Sequence, residues 1–164
     1  MVVLLNETEQ IIAKILAERR YKNNRARGVV DRQIGGQSSE ETDLNGLGAE
    51  MAFAKMFNVY PDLGDVPGKE DGITRKGYTY DVKTTKYKNG RLLAVMSKQI
   101  EDCNLYVLMI GEFPSYRIVG YARAEDLLSG NYIDDLGRGP GHAMKQTEFA
   151  FKKFNGDEIG ANHE

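Results

Sequence analysis

The chain has 164 residues, of which 41% are hydrophobic and 28% are charged, and its formal net charge is −2. This length fits one domain with its own core, and the composition is globular rather than disordered. No stretch approaches the ~20 apolar residues that a membrane-spanning helix needs. One cysteine, Cys103, and two histidines exclude a disulfide framework and a zinc finger. No signal peptide is readable, so we expect a cytoplasmic protein with no membrane contact.

Two helices are predicted in the first third of the chain. Asn6 and Glu9 form a capping-box pattern, and apolar residues then follow at helical spacing towards an end between residues 21 and 27. A polar connector follows at residues 35–41. The second helix is predicted over residues 42–57.

The middle of the chain predicts strands. Residues 71–75 and 78–85 form a hairpin pattern around Lys76 and Gly77, and the second arm is rich in β-branched and aromatic residues. Further strands are predicted over residues 91–96, 104–111 and 116–122, before a short helix at 123–128. We therefore expect an α/β class with mixed α+β character: a central mixed sheet of about five strands flanked by helices. One domain would span residues 1–154, and residues 155–164 would form a flexible tail.

Three carboxylates and one lysine are the candidates for chemistry. Asp81 and Lys83 lie on one face of a predicted strand, because side chains alternate along a strand, and Tyr80, Val82 and Thr84 form the other face. A surface ion pair between Asp81 and Lys83 is the simpler alternative. The hairpin brings Asp71 beside Asp81, and two neighbouring carboxylates repel each other unless a cation lies between them. Turn chemistry at Asp71 and Gly72 is the alternative there.

Glu50 lies inside the apolar arc of the second predicted helix, on the side of Leu47, Phe53 and Ala54. A carboxylate in that position must be neutral, paired or close to a metal ion, because an unpaired buried charge is costly. The alternative is a side chain at the edge of the arc that extends to solvent.

A local basic stretch stands out against the slightly acidic total charge. It could follow the phosphates of a nucleic acid, although a solvated helix end is the other interpretation. Its members are Arg19, Arg20, Lys22, Arg25, Arg27 and Arg32.

The ordered set of Glu50, Asp71 and the Asp81-Val82-Lys83 tripeptide resembles the PD-(D/E)xK nuclease superfamily, which has a restriction-endonuclease-like core. The resemblance covers about forty residues, a quarter of the chain. Glu70 stands where the family name places proline. Asp62, which follows Pro61, and Asp65 are alternatives to Asp71.

The resemblance implies a divalent-metal-dependent nuclease that hydrolyses DNA phosphodiester bonds. Asp71 and Asp81 would hold Mg²⁺ or Mn²⁺ with the Val82 carbonyl, Glu50 would hold a metal ion or its water, and Lys83 would orient or activate the attacking water. One site per chain suggests a homodimer if both DNA strands are cut. Two alternatives stay open: a binding or assembly module that does not hydrolyse, and a hydrolase for RNA or branched DNA.

Overall fold

The computed structural model describes residues 2–28, 38–65, 68, 70–135, 137 and 139–149. Its strands form two sheets, one of five strands in the order β1-β6-β5-β3-β2 and one of three in the order β4-β8-β7. Only the β3–β5 pairing is parallel. The elements are β1 (Val2–Leu4), α1 (Glu7–Ala26), α2 (Ser39–Phe57), β2 (Gly72–Ile73), β3 (Thr79–Thr85), β4 (Leu92–Val95), β5 (Leu105–Glu112), β6 (Ser115–Arg123), α3 (Ala124–Leu127), β7 (Ile133–Asp135) and β8 (Pro140–Met144), with short 3-10 helices at Ile100–Asp102 and Gln146–Glu148.

Both long helices begin with a capping box. The Asn6 side chain accepts the Glu9 N–H at 2.9 Å, and the Glu9 carboxylate accepts the Asn6 N–H at 2.6 Å. Ser38 and Glu41 form the same reciprocal pair, which starts α2 three residues before the predicted position. α2 ends at Asn58, whose φ of 49° is the left-handed conformation common at helix ends. The two predicted helices are confirmed.

The buried face of α1 consists of two alanines, a leucine and Arg20. Ala13, Leu16 and Ala17 pack against α2, whereas Ile11 and Ile15 are more than half exposed. The spacing of the isoleucines therefore predicts the helix correctly, but these isoleucines do not lie on its buried side. Small side chains allow the axes of α1 and α2 to approach closely.

The central strand β5 is buried on both faces. Leu105, Val107 and Met109 face the core beneath α1 and α2, and Tyr106 and Leu108 face a second core beneath the three-stranded sheet. Strands that are covered on both sides are continuously apolar, as β5 is. On β3, by contrast, only one face is apolar, because Tyr80 and Val82 join the helix-side core while Asp81 and Lys83 point the other way. The predicted alternation along β3 is confirmed.

All five predicted strands are present, with one difference in arrangement. β4 lies in the second sheet beside β8, and β1 takes the fifth place in the main sheet by pairing with β6. The sequence signal did not predict β1, β7 or β8. The mixed α+β class is confirmed, and the predicted tail at 155–164 lies outside the described residues. In the described part of the chain, no helix has the length and apolar character required to span a membrane.

Two glycines of α2 give a matched test of the packing between α2 and β6. A Cβ on Gly48 would overlap the Tyr116 hydroxyl and lie 2.8 Å from Cδ2 of Phe113, whereas a Cβ on Gly46 meets nothing within 4 Å. Tyr116 is fixed because its hydroxyl donates to Oδ1 of Asn45 at 2.9 Å. We expect Gly48→Ala to lower the free energy of unfolding by about 1–3 kcal/mol through overpacking.

The control is Gly46→Ala, which should raise the free energy of unfolding by about 0.5–1 kcal/mol, because alanine is the better helix former. Urea unfolding followed by circular dichroism measures both variants. Equal stability of the two variants would contradict this account of the α2–β6 contact.

Candidate active site

The candidate site lies at the edge of β3 where β2 ends. β2 pairs only Gly72 and Ile73 with β3, so no strand of the described residues lies beside this edge of β3 beyond Tyr80. Asp71 takes that place: its N–H donates to the Tyr80 carbonyl at 2.8 Å, and its Oδ2 accepts the Val82 N–H at 2.6 Å. The Asp71 carboxylate therefore caps the open edge of the sheet.

Glu50 approaches the same edge from α2 and is paired with Arg20 of α1. Nη1 of Arg20 donates to Oε2 of Glu50 at 3.1 Å, and both side chains are largely buried, with 8% and 15% of their surface exposed. The guanidinium also donates to the carboxylate and carbonyl of Asp62 and to the carbonyl of Gly64. The structure thus satisfies the expectation that a buried Glu50 needs a partner.

Asp81 lies on the face of β3 that points away from the helices, and its carboxylate contacts two lysines. Its Oδ1 is 2.5 Å from Nζ of Lys83, and its Oδ2 is 3.1 Å from Nζ of Lys98. Asp81 is 5% exposed, whereas Lys83 and Lys98 are 35% and 20% exposed. The buried Asp81 carboxylate therefore forms ion pairs with two ammonium groups that are partly accessible to solvent.

The electrostatics link these groups. Burial, followed by the charges of Glu50 and Asp81, raises the pKa of Asp71 to about 8, against the hydrogen bond from Val82. Burial also raises the pKa of Glu50, opposed by Arg20. Burial disfavours the charged form of Lys83, but the neighbouring Asp81 outweighs it and the pKa of Lys83 is raised. The three carboxylates therefore act on one another, and Lys83 is held protonated.

Oxygen donors at this edge suit a hard divalent cation. Mg²⁺ usually binds through one or two carboxylates and keeps several waters. Oε1 of Glu50 and Oδ1 of Asp71 make no hydrogen bond within the described part of the chain, whereas both oxygens of Asp81 contact ammonium groups. Among the described residues, no group of three or more His, Cys, Asp or Glu side chains is arranged to hold a metal ion. The donor set therefore fits an ion at Asp71 and Glu50 better than at all three acids.

The remaining predicted ligand and the alternative aspartates differ in their positions. The backbone of Val82 lies at the same edge, because its N–H donates to Asp71, and its carbonyl as a metal ligand stays a prediction. Asp62 contacts Arg20 and accepts the Gly64 N–H, so it belongs to the loop that holds Glu50 in place. Asp65 forms an exposed ion pair with Arg19. Of the candidate aspartates before β2, only Asp71 lies at the edge of β3.

The predicted basic stretch on α1 is largely paired within the protein. Arg19 contacts Asp65 at 3.0 Å, and Lys22 contacts Glu18 at 2.6 Å. Arg20 is buried beside Glu50 and is therefore part of the carboxylate cluster rather than of an exposed surface. The guanidinium of Arg25 lies over the Tyr21 ring, Arg27 caps the end of α1, and Arg32 lies outside the described residues.

Two members of the cluster were not identified from sequence. Lys98 follows β4 and is near Asp81 only because the second sheet folds over β3. The Tyr80 hydroxyl is buried with no hydrogen-bond partner in the described part of the chain, and burial together with Asp71 and Glu50 raises its pKa. Gly72 lies against this hydroxyl, where a Cβ would overlap it. No local sequence signal indicates either contact.

A family model matches residues 2–116, which include every residue of the carboxylate and lysine cluster described above. The chain therefore belongs to a family of unknown function, DUF5843. The search of curated proteins found no match, and the search of solved structures found none either.

The raised pKa of Asp71 predicts a pH-dependent stability. The folded chain retains the Asp71 proton up to a pH of about 8, whereas the unfolded chain loses it near a pH of about 4. Between these values the unfolded state binds fewer protons, so the free energy of unfolding falls as the pH rises, by at most ~1.4 kcal/mol per pH unit. Asp71→Asn should remove this contribution.

Urea unfolding of both proteins at several pH values, without divalent ions, measures the effect. The stability of Asp71→Asn relative to the unsubstituted protein should rise from a pH of about 4 to about 8 and then level off. A constant difference over that range would show that Asp71 is already ionised in the folded protein.

Proposed function

We propose that this protein is a divalent-metal-dependent nuclease that hydrolyses DNA phosphodiester bonds. The observation that supports the proposal most directly is that Asp71, at the open edge of β3, lies close enough to Glu50, Asp81 and Lys83 for their charges to act on it, and that Asp81 contacts Lys83. These residues come from a helix, a strand start and the adjacent strand, in the order expected from the resemblance to PD-(D/E)xK nucleases.

The proposed roles follow from the contacts. Glu50 and Asp71 would hold Mg²⁺ or Mn²⁺, and Asp81 would join them by exchanging a lysine contact for the ion. A bound ion would lower the pKa of a coordinated water and offset the negative charge that develops on the phosphate. Arg20 fixes Glu50 towards the cluster. Lys83, held protonated by Asp81, would orient the attacking water and donate to a phosphate oxygen.

A second candidate is a nucleic-acid-binding or assembly module that does not hydrolyse its ligand. The pairing of both Asp81 oxygens with ammonium groups supports it, because this arrangement presents positive charge to a phosphate without any further ion. Binding that ignores divalent ions and yields no cleavage product with any metal would favour this candidate.

The nuclease proposal predicts that purified protein nicks or degrades plasmid DNA with Mg²⁺ or Mn²⁺ and stops when EDTA is added. Lys83→Ala and Asp81→Asn should each reduce the cleavage rate by at least ~100-fold, because each removes a group that acts on the water or the phosphate. Agarose gels over a time course measure cleavage. The same gels with linear duplex, single-stranded, branched and RNA substrates identify the preferred polynucleotide.

Asp65→Asn is the matched control, since Asp65 forms a surface ion pair away from β3 and its loss should leave cleavage unchanged. Urea unfolding checks that the two site variants remain folded. If both folded variants cut at the rate of the unsubstituted protein, Asp81 and Lys83 are not the catalytic residues.

A further inference from the structure

The segment that begins at Val82 within the candidate site carries positive charges and no negative charges. Residues 82–100 contain no aspartate or glutamate. Their cations are Lys83, Lys86, Lys88, Arg91 and Lys98. Two of these lysines contact Asp81, and the others continue along the chain from β3 towards β4. A polyanion at Lys83 would therefore meet further positive charge on this side of the site.

Residues 86–90, which we call the basic turn, are held in place by hydrogen bonds. The Tyr87 N–H donates to Oγ1 of Thr85 at 3.2 Å, and the Gly90 N–H donates to the Tyr87 carbonyl at 2.9 Å. Nε2 of Gln146, which follows β8, donates to the carbonyls of Lys88 and Gly90 at 2.9 and 2.8 Å. The short 3-10 helix that follows β8 thus anchors the backbone of the turn, and the side chains of residues 86–89 are exposed.

The charges on the basic turn are not neutralised in the way those of α1 are. Lys86 and Lys88 form no ion pair with any described residue, whereas Arg91 contacts Asp134 at 2.6 Å. The exposed fraction of Tyr87 is 60%, and Nζ of Lys86 lies 5.7 Å from the centre of its ring. The turn therefore presents an exposed aromatic ring with the Lys86 ammonium beside it, and the exposed Lys88 follows in the chain.

The turn also lies close to the candidate site along the chain. Lys86 directly follows the end of β3 and is three residues from Lys83, so their Cα atoms are at most about 10 Å apart. A polynucleotide with one phosphate at Lys83 would have neighbouring phosphates within range of Lys86 and Lys88. An exposed aromatic ring beside such cations is suited to stacking on a base, which only an unpaired nucleotide can offer.

We propose that the basic turn binds an unpaired nucleic-acid strand, with Lys86 and Lys88 on phosphates and Tyr87 stacked on a base. The position of the strand beside Lys83 rests on the proposed function, but binding at the turn does not require hydrolysis. The ligand chemistry is shared by single-stranded DNA and RNA.

The test is fluorescence anisotropy of the full chain with labelled single-stranded DNA, single-stranded RNA and duplex DNA of one sequence, in EDTA. Lys86→Ala with Lys88→Ala should weaken binding to all three probes. For the single strands, the slope of log affinity against log salt should decrease by ~0.7 for each lysine removed. Tyr87→Ala should weaken single-strand binding by about tenfold with little effect on the duplex, and Tyr87→Phe should bind like the unsubstituted protein.

Lys14→Ala and Tyr60→Ala are the matched controls. Lys14 is exposed with Nζ 5.8 Å from the Phe113 ring centre, and Tyr60 is 79% exposed. Both controls should keep full affinity, and thermal unfolding should match across all variants. Unchanged binding of the basic-turn variants would overturn the proposal. The proposal would also be overturned if the control variants weakened binding as much as the basic-turn variants. The same holds if Tyr87→Ala weakened duplex binding as much as single-strand binding.

Failure of this proposal is distinguishable from failure of the proposed function. Binding in EDTA that depends on the basic turn, without any cleavage in Mg²⁺ or Mn²⁺, supports the surface and contradicts hydrolysis. Cleavage that depends on Lys83 while the basic-turn variants bind single strands normally supports hydrolysis and contradicts the surface.

Discussion

The candidate site depends on the ion pair between the Arg20 guanidinium and the Glu50 carboxylate. Glu50 lies on the buried side of α2, where an unpaired carboxylate is costly, and Arg20 on α1 supplies its positive partner. The same guanidinium binds the carbonyls of Asp62 and Gly64, in the loop that follows α2. One side chain thus holds two helices and that loop together. The direction of the Glu50 carboxylate is fixed by contacts that have no part in β3 itself.

The positively charged partners are unevenly distributed among the three carboxylates of the cluster. Arg20 serves Glu50 on the helix side of the sheet, and Lys83 and Lys98 serve Asp81 on the other side. Asp71, between them, forms a hydrogen bond with the Val82 N–H, and burial together with the charges of Glu50 and Asp81 raises its pKa. This uneven distribution is costly for a purely structural edge. Buried, mutually interacting carboxylates with raised pKa values are common at functional sites, which agrees with the metal site that we propose.

Local signals in the sequence were sufficient for both long helices, for five of the strands and for the contact between Asp71 and β3. Capping boxes act over three residues, alternation acts over two, and a hairpin joins neighbours, so α1, β3 and the Asp71–Asp81 pairing could be predicted. Contacts between distant segments could not. Lys98 meets Asp81 only through the packing of the second sheet, and Asp65 neutralises Arg19 from a loop more than forty residues away. Counting basic residues therefore favoured α1, where Arg19 and Lys22 form ion pairs, whereas Lys86 and Lys88 form none with the described residues.

The pairing of β1 with β6 has a consequence for the order of assembly. Val2–Leu4 lie at the very beginning of the chain, but their hydrogen-bonding partners are in the segment 115–117. During synthesis, the N-terminal strand must wait until that segment has emerged, and contacts so distant in sequence form slowly. Every residue of the carboxylate and lysine cluster has been synthesised by then. β1 therefore joins the main sheet only after the strands that bear the cluster have been synthesised, and it lies at the edge of the sheet opposite to β2.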